Sequence, residues 1–164
     1  MAKRLVAADA RPLIGLAAAG AFDLLHDLFG NVTITRAVRD EVMAGGELPG
    51  AAELAAAIET GWIKVVRNPS GMGRLPELDA GEASTLALAF KHQGECLVLM
   101  DELAGRAHAR EHGITVTGLA GILVAAKRAR LVKRIQPFFD RLDQSDFRIS
   151  PDLVRAVMED AGEL

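Results

Sequence analysis

Five short apolar runs, separated by segments with helical periodicity, limit the folds that this chain can adopt. The runs cover residues 5–8, 32–35, 62–66, 96–100 and 114–117, and each is 4 or 5 residues long. Continuous apolar strands are typical of a parallel sheet that is buried on both faces, because parallel strands need long crossovers and these are usually helices. The pattern predicts an α/β fold with three layers, in which helices cover both faces of a five-stranded parallel sheet.

The length of 164 residues suits one domain. We expect a single unit over residues 1–164, with an α/β core at 1–130 and a C-terminal helical extension at 131–164. The extension contains a helical pattern near 137–142, an extended stretch at 147–149, and a last helix with Ser150 as cap and Pro151 at its first position. The apolar stripe of that helix either closes the core or contacts a second chain.

Bulk composition favours an ordinary globular protein of the cytoplasm. The longest uncharged runs are shorter than the roughly 18 residues that a membrane helix needs, and Asp9 interrupts the first apolar segment, so we expect neither a membrane span nor export. The single cysteine, Cys96, excludes an intramolecular disulfide and fits a reducing compartment. The net charge of -3 argues against broad adhesion to nucleic acid but permits a local basic groove.

Carboxylates follow two of the predicted strands at the point where each strand ends. Asp9 comes directly after the first strand, and Asp101 comes directly after the fourth, with Glu102 next to it. Ligands of open parallel sheets bind beyond the carboxyl ends of the strands. An Asp in this position is also a good helix cap. For Asp9, however, Pro12 as the helix start makes Arg11 the capping residue, which leaves the Asp9 carboxylate without a structural task.

Two further acids lie on predicted helices. Glu41 borders the buried face of the helix that follows the second strand, whereas Asp40 points to the opposite side. Asp79 and Glu82 have the spacing of a capping box, in which Asp79 caps the helix and Glu82 reaches back. Glu82 also adjoins the apolar face of that helix, so capping and a role in a site compete for its side chain.

A cluster of carboxylates predicts a metal site. Mutual repulsion would force some of the groups to take up protons unless cations neutralise them, and Mg²⁺ or Mn²⁺ is the hard cation that oxygen ligands prefer. Such a metal activates water and neutralises charge on a phosphate, which is the chemistry of phosphodiester hydrolysis. The sequence therefore favours a metal-dependent hydrolase.

Four motifs together resemble the PIN-domain family, and specifically the PIN-like proteins related to the VapC toxins of toxin-antitoxin systems. The motifs are Asp9-Ala10-Arg11-Pro12-Leu13-Ile14, residues 34–42, Leu78-Asp79-Ala80-Gly81-Glu82-Ala83, and Leu99-Met100-Asp101-Glu102 with Val116-Thr117-Gly118 beyond it. The resemblance covers the chain from Leu5 to about Arg130 and extends to the tail Phe147-Arg148-Ile149-Ser150. It implies that the first and fourth strands are neighbours in the sheet.

The resemblance also implies an activity. It implies an Mg²⁺- or Mn²⁺-dependent endoribonuclease in which an acidic quartet is both catalytic and metal-binding, and the matching residues are Asp9, Glu41, Glu82 and Asp101. Glu102 and Thr117 are expected to support the metal or the water from a second layer. The resemblance further implies a homodimer and, for toxin members, a small inhibitory antitoxin.

The chain departs from the family pattern at two positions. Arg11 stands where the family usually has a small hydroxyl residue, and Glu82 stands where many relatives have Asp. Arg11 either contacts substrate phosphate, or pairs with Asp9 and displaces a metal, or marks a member without catalysis. The last reading leads to the alternative function, a catalytically inactive PIN fold that binds protein or RNA.

Positive residues suggest where RNA would lie. Arg11, Arg74 and Arg106 are the candidate substrate-binding residues, because they lie near the acidic strand ends. The basic run at 127–134 ends a helix after the fifth strand, on the far side of the sheet, where positive charge complements the helix dipole. We therefore expect this run to be a solvated face.

Overall fold

The five predicted strands form one parallel sheet in the order β3-β2-β1-β4-β5. The computed structural model describes residues 4–70 and 76–164. The strands are β1 (Leu5–Ala8), β2 (Val32–Thr35), β3 (Ile63–Val66), β4 (Cys96–Leu99) and β5 (Thr115–Thr117). Two strands match the predicted apolar runs at both ends, and each of the other three is one residue shorter at one end. The difference arises because an apolar run reflects burial, whereas a strand is defined by its hydrogen-bonded pairing.

Helices connect the strands and cover both faces of the sheet. They are α1 (Ala10–Ala18), α2 (Leu24–Phe29), α3 (Arg36–Met43), α4 (Ala51–Thr60), α5 (Ala80–Lys91), α6 (Leu103–Glu111), α7 (Leu119–Arg128), α8 (Gln136–Asp143) and α9 (Pro151–Asp160). Side chains of α5 and α6 form a smaller core on one face, and those of α1, α2 and α7 belong to a larger core on the other. The predicted three-layer α/β fold is confirmed.

Alternation along β4 shows why the strands are apolar throughout. Leu97 and Leu99 join the larger core, whereas Val98 and Met100 join the smaller one. Successive side chains of a strand point to opposite faces, so a strand with a core on each side needs an apolar residue at every position. The apolar runs are therefore a direct consequence of the two covering layers.

The winding of the sheet reverses between β1 and β4, which pair side by side. Ala8 lies opposite Leu99, and the backbone N–H of Asp9 extends the pairing by donating to the carbonyl oxygen of Leu99 at 2.9 Å. The implied adjacency of the first and fourth strands is confirmed. In open α/β sheets such a reversal opens a crevice beyond the carboxyl ends of the strands, and Asp9 and Asp101 follow these ends.

The C-terminal extension contains the two expected helices. Pro137 lies in the first turn of α8, and the Ser150 hydroxyl caps α9 by accepting the backbone N–H of Leu153 at 3.4 Å. The stretch at 147–149, predicted to be extended, forms neither a strand nor a helix. On α9, Met158 is buried in the core while Leu153 is 45% exposed, so the apolar stripe closes the core over part of its length.

The basic run at 127–134 is paired with acids of the C-terminus. Lys127 and Arg128 form ion pairs with Glu163 and Asp160, and the side chain of Glu163 is only 6% exposed. Glu163 also accepts the backbone N–H of Ile135 and of Gln136 at 2.9 and 3.2 Å. Burial would raise the pKa of Glu163, but these hydrogen bonds and the Lys127 charge lower it. The run therefore ties the chain end to α7 and the start of α8.

Replacing Glu163 by glutamine is expected to lower the free energy of unfolding by about 2 kcal/mol, because charge-assisted hydrogen bonds to a buried carboxylate become weaker or are lost. Urea unfolding at neutral pH measures the change. Glu159→Gln is the matched control, since Glu159 lies on the exposed side of the last helix. Equal unfolding midpoints for the two variants would contradict the proposed anchoring.

Helices that are both long and apolar enough to cross a bilayer are absent from residues 4–70 and 76–164.

Candidate active site

Asp9 lies at the junction between β1 and α1. The helix begins at Ala10, so the prediction that Pro12 starts the helix and Arg11 caps it is wrong. Pro12 is tolerated at the third helical position, because the first backbone N–H groups of a helix have no partner within the helix. Asp9 thus occupies the capping position, but its side chain makes no capping hydrogen bond. Its carboxylate remains free for another role, as expected.

The Asp9 carboxylate is buried and incompletely satisfied. The residue is 4% exposed, and its Oδ1 atom has no hydrogen-bond partner. Burial raises the pKa of Asp9 to about 7 against the lowering effect of the Ala10 N–H, and the charges of Asp79, Glu41 and Asp101 add to the rise. A buried carboxylate with a free oxygen requires a proton or a cation.

Asp101 lies two residues beyond the end of β4 and is also buried in part. Its Oδ1 accepts the backbone N–H of Leu119 at 3.0 Å, while Oδ2 has no partner. Burial raises the pKa of Asp101 against the opposing effects of the Leu119 N–H and of Arg11 and Arg106. Asp101 therefore caps α7 with one oxygen and leaves the other one unpaired.

Gly118 makes this arrangement of Asp101 possible. A Cβ atom at residue 118 would collide with Oδ1 of Asp101 and would lie 3.0 Å from Nη1 of Arg106. Arg106 in turn donates to the carbonyl oxygen of Met100 at 3.1 Å, which places its guanidinium beside Asp101. Backbone, arginine and carboxylate are thus packed together at the end of β4.

Glu82 and Asp79 form the predicted capping box at the start of α5. The Asp79 carboxylate accepts the Glu82 N–H at 2.8 Å, and the Glu82 carboxylate accepts the Asp79 N–H at 3.4 Å. Burial raises the pKa of Glu82 to about 7, and interactions with Asp79 and the charge of Asp9 contribute to the rise. Glu82 therefore caps the helix through a long hydrogen bond while it lies within the electrostatic field of Asp9.

Glu41 approaches the site from α3. Glu41 is more exposed than Asp9 and Asp101, but partial desolvation of its carboxyl and then the charge of Asp79 raise its pKa. Thr35 caps α3 by accepting the Val38 N–H, and its hydroxyl is hydrogen-bonded to that of Ser84 at 2.8 Å. This buried hydroxyl pair joins the start of α3 to α5, the helices that carry Glu41 and Glu82.

Asp79 is a member of the site that the sequence reasoning assigned to capping alone. Its charge raises the pKa of Asp9, Glu41 and Glu82. Its Oδ1 and the Oδ1 of Asp9 both lie close to Gly81, at 3.4 and 3.1 Å from where a Cβ would be. The sequence contained a signal for this role, because the residue that caps α5 lies at the same helix start as Glu82, which was already a candidate site residue.

The predicted supporting residues have different environments. Glu102 caps α6 by accepting the Ala104 N–H at 3.1 Å. Thr117 ends β5 at the same sheet edge, and its hydroxyl lies against Gly121. Of the three arginines, Arg106 lies at the site, Arg11 is held by the C-terminal extension, and Arg74 lies outside the described residues. The ion pairs seen in the described ranges do not include one between Arg11 and Asp9.

The donor set fits a hard divalent cation by its chemistry. In the part of the chain that the structure describes, no three acidic, histidine or cysteine side chains already converge as metal ligands. Even so, Asp9 and Asp101 each present a buried oxygen without a partner, and both belong to an all-oxygen set. Binding would require side-chain rotations, including release of Glu82 from its long capping bond.

A family model described as PIN domain matches residues 5–163. Neither the search of curated proteins nor the search of solved structures gives a significant match. The match spans all five strands and the C-terminal extension up to Glu163. The chain therefore belongs to the PIN-domain family.

Proposed function

We propose that this PIN domain, which has a nuclease fold, is a metal-dependent endoribonuclease. The observation that carries the proposal is the pair of buried carboxylate oxygens without partners, one on Asp9 and one on Asp101, at the neighbouring ends of β1 and β4. Leaving such oxygens unsatisfied is costly, so two of them at neighbouring strand ends support a cation site. Hydrolysis of a phosphodiester is the chemistry that such a site supports.

Asp9, Glu41, Glu82 and Asp101 would hold Mg²⁺ or Mn²⁺ in this proposal. When bound, the ion supplies an activated water and neutralises charge on the scissile phosphate. Asp101 presents its free oxygen while the Leu119 N–H holds the other one in place. The pKa values of Asp9 and Glu82 are both raised to about 7, so these carboxyls are partly protonated near neutrality and would release their protons to solvent on binding a cation.

Other residues have supporting roles. Arg106, fixed by the Met100 carbonyl, places positive charge beside Asp101 where a phosphate would approach. We assign Arg74 a similar part in RNA binding on its sequence position. Glu102 and Thr117 would support the metal ligands without binding the metal themselves. Glu102 caps the start of α6, and Thr117 places its hydroxyl at the end of β5.

For the biological role we propose the toxin of a toxin-antitoxin pair, acting in the cytoplasm as a homodimer and inhibited by a small antitoxin. The resemblance of the four motifs to VapC-related proteins supports this role. A short reading frame beside the gene that encodes a DNA-binding pattern is the expected antitoxin. Sedimentation of the purified protein as a monomer would contradict the dimer.

The alternative is a catalytically inactive PIN fold that binds protein or RNA. Two observations favour it: Arg11 replaces the usual hydroxyl residue, and Glu82 is engaged in the capping box. Arg11, however, makes no ion pair with Asp9 and points to the C-terminal extension. The reading in which Arg11 occupies the metal position through Asp9 therefore has no support in the geometry, and we favour the enzyme.

RNA cleavage that needs a divalent cation is the expected result for the purified protein. Mixed single-stranded and structured RNAs are incubated with Mn²⁺ or with EDTA, and products are separated by size. We expect cleavage with Mn²⁺ and none with EDTA, because the carboxylates alone provide no activated water. Intact RNA under every divalent metal would refute the nuclease and favour the binding module.

A further inference from the structure

A small cleft lies directly beside Asp101, between the first turn of α1 and the chain at 147–153. Its volume is about 150 Å³. The lining residues are Arg11, Asp101, Leu119, Phe147, Arg148, Ile149, Ser150 and Leu153. The C-terminal extension therefore forms one wall of a cleft whose other wall includes a proposed catalytic carboxylate.

Arg11 is held in one position within this cleft. Its Nη2 donates to the carbonyl oxygen of Arg148 at 2.6 Å, and its guanidinium carbon lies 4.3 Å from the centre of the Phe147 ring. A guanidinium has five N–H donors in a planar arrangement, so this hydrogen bond leaves several of them free. A long side chain that is restrained in advance loses less entropy when it binds a ligand.

Gly15 provides the space that positions Phe147. A Cβ atom at residue 15 would lie 2.7 Å from Cζ of Phe147 and 3.0 Å from a methyl group of Leu119. Gly15 is one turn beyond Arg11 on α1, and glycine within a helix costs about 1 kcal/mol relative to alanine. The glycine thus admits the ring against α1, and the ring in turn supports Arg11.

The contacts decide what kind of group the cleft binds. Arg11 covers the ring of Phe147, so that ring is engaged and a base would have to displace the guanidinium to stack on it. The free N–H groups of Arg11 match the oxygens of a phosphate, for which the planar guanidinium is well suited. Arg11 and Asp101 line the same cleft, so a phosphate held by Arg11 would lie near the proposed catalytic carboxylate.

We propose that this cleft binds the phosphate of a nucleotide next to the scissile bond in single-stranded RNA, with Arg11 as the contact residue. Phe147 and Arg148 position Arg11, the first through its ring and the second through its backbone carbonyl. The inference rests on the proposed nuclease function for its substrate class. It gives the C-terminal extension a part in substrate binding in addition to its part in the core.

The test measures binding and cleavage separately. Binding of a short fluorescein-labelled single-stranded RNA is measured by fluorescence anisotropy in the presence of Mn²⁺. The protein carries Asp101→Asn so that the RNA is not cleaved during the measurement, and the salt concentration is varied between about 50 and 200 mM. Arg11→Gln is expected to weaken binding about tenfold and to lower the slope of log affinity against log salt by about 0.7, the value for one phosphate contact of a single strand. In the protein with Asp101 intact, we expect Arg11→Gln to raise the KM for RNA cleavage relative to the parent.

Further variants separate contact from positioning. Phe147→Leu keeps the charge of Arg11 but removes its support, so affinity falls while the salt slope stays close to that of the parent. Arg11→Lys keeps the positive charge but loses the planar group that stacks on Phe147. We expect it to have the salt slope of the parent, unlike Arg11→Gln, but a lower affinity than the parent. Arg128→Gln is the matched control, because Arg128 is at the far end of α7, about 15 Å of helix away from the site.

The outcomes distinguish this inference from the proposed function. If the parent cleaves RNA and Arg11→Gln leaves affinity and salt slope unchanged, the inference is wrong while the nuclease stands. A parent that does not cleave, but loses affinity and slope on Arg11→Gln, would refute the nuclease and retain the phosphate cleft. Equal effects of Arg11→Gln and Arg128→Gln would also overturn the inference, since they would indicate only a general effect of net charge.

Discussion

Replacing Asp101 by asparagine is expected to lower the rate of RNA cleavage by about 10³-fold or more and to leave the fold intact. Asparagine retains an Oδ1 atom that accepts the Leu119 N–H, so the cap of α7 is preserved. Only the charge and the unpaired Oδ2 are lost, and these are the features that would bind the cation. Loss of one preorganised electrostatic group at a reacting centre costs about 10²–10³ in rate, and a weakened metal site adds to this.

Single-turnover cleavage with saturating Mn²⁺ measures this effect. Asp40→Asn is the matched control, because Asp40 is exposed on α3 and pairs with Arg39. The control is expected to retain full activity. Urea unfolding of the Asp101 variant completes the experiment, and we expect stability at least equal to that of the parent, since a buried charge is removed. Cleavage within a factor of a few of the parent rate would contradict a catalytic role for Asp101.

The stability of the metal-free protein is expected to fall as the pH rises from about 4 to about 7. The folded-state pKa of Asp9 is about 7, above the ordinary value of 3.8, so the folded protein binds more protons than the unfolded chain in this interval. The Asp9 contribution is fully present below pH 3.8 and is lost as the pH rises through about 7. The difference between the two pKa values of Asp9 corresponds to on the order of 4 kcal/mol. Glu82, with its raised pKa, acts in the same direction.

Asp9→Asn is expected to remove most of this pH dependence. At pH 8 in EDTA the variant gains about 2 kcal/mol over the parent, because the deprotonated carboxylate is costly while the amide still needs partners for its own polar atoms. Added Mg²⁺ stabilises the parent more than the variant, since a ligand stabilises the state that binds it. Urea unfolding at pH 5 and pH 8 measures both effects.

A parent protein whose stability is the same at pH 5 and pH 8 in EDTA would refute the raised pKa of Asp9. Titration of Glu163 does not contribute to the difference in stability between pH 5 and pH 8. Its pKa is lowered, so the stability it contributes is present above its ordinary value of 4.5 and is lost only as the pH falls below it. The two carboxylates therefore act in separate ranges of pH.

Much of the architecture could be predicted from the order of residues along the chain. The apolar runs predicted five buried parallel strands, because burial on both faces requires an apolar residue at every strand position. Ser150 and the Asp79-Glu82 pair predicted two helix starts, because capping depends on residues three positions apart. Asp9 and Asp101 followed from strand ends, which are also local features.

Residues that depend on distant parts of the chain could not be assigned in this way. Nothing near Arg11 in the sequence indicates that it turns from Asp9 to the Arg148 carbonyl and the Phe147 ring, more than 130 residues away. Nor does the basic run at 127–134 indicate that Glu163 is buried against Lys127. Pairing of this kind depends on how the layers pack.

By itself, the sequence determined the strands, the main helix caps and the two carboxylates at the ends of β1 and β4, because periodicity and capping act over a few residues. Only the tertiary structure decided that each of these two carboxylates keeps a buried oxygen without a partner, that Asp79 acts electrostatically on the other acids, and that the C-terminal extension holds Arg11. The physical reason is that burial and charge interaction depend on distance through space, which the spacing of residues along the chain does not fix.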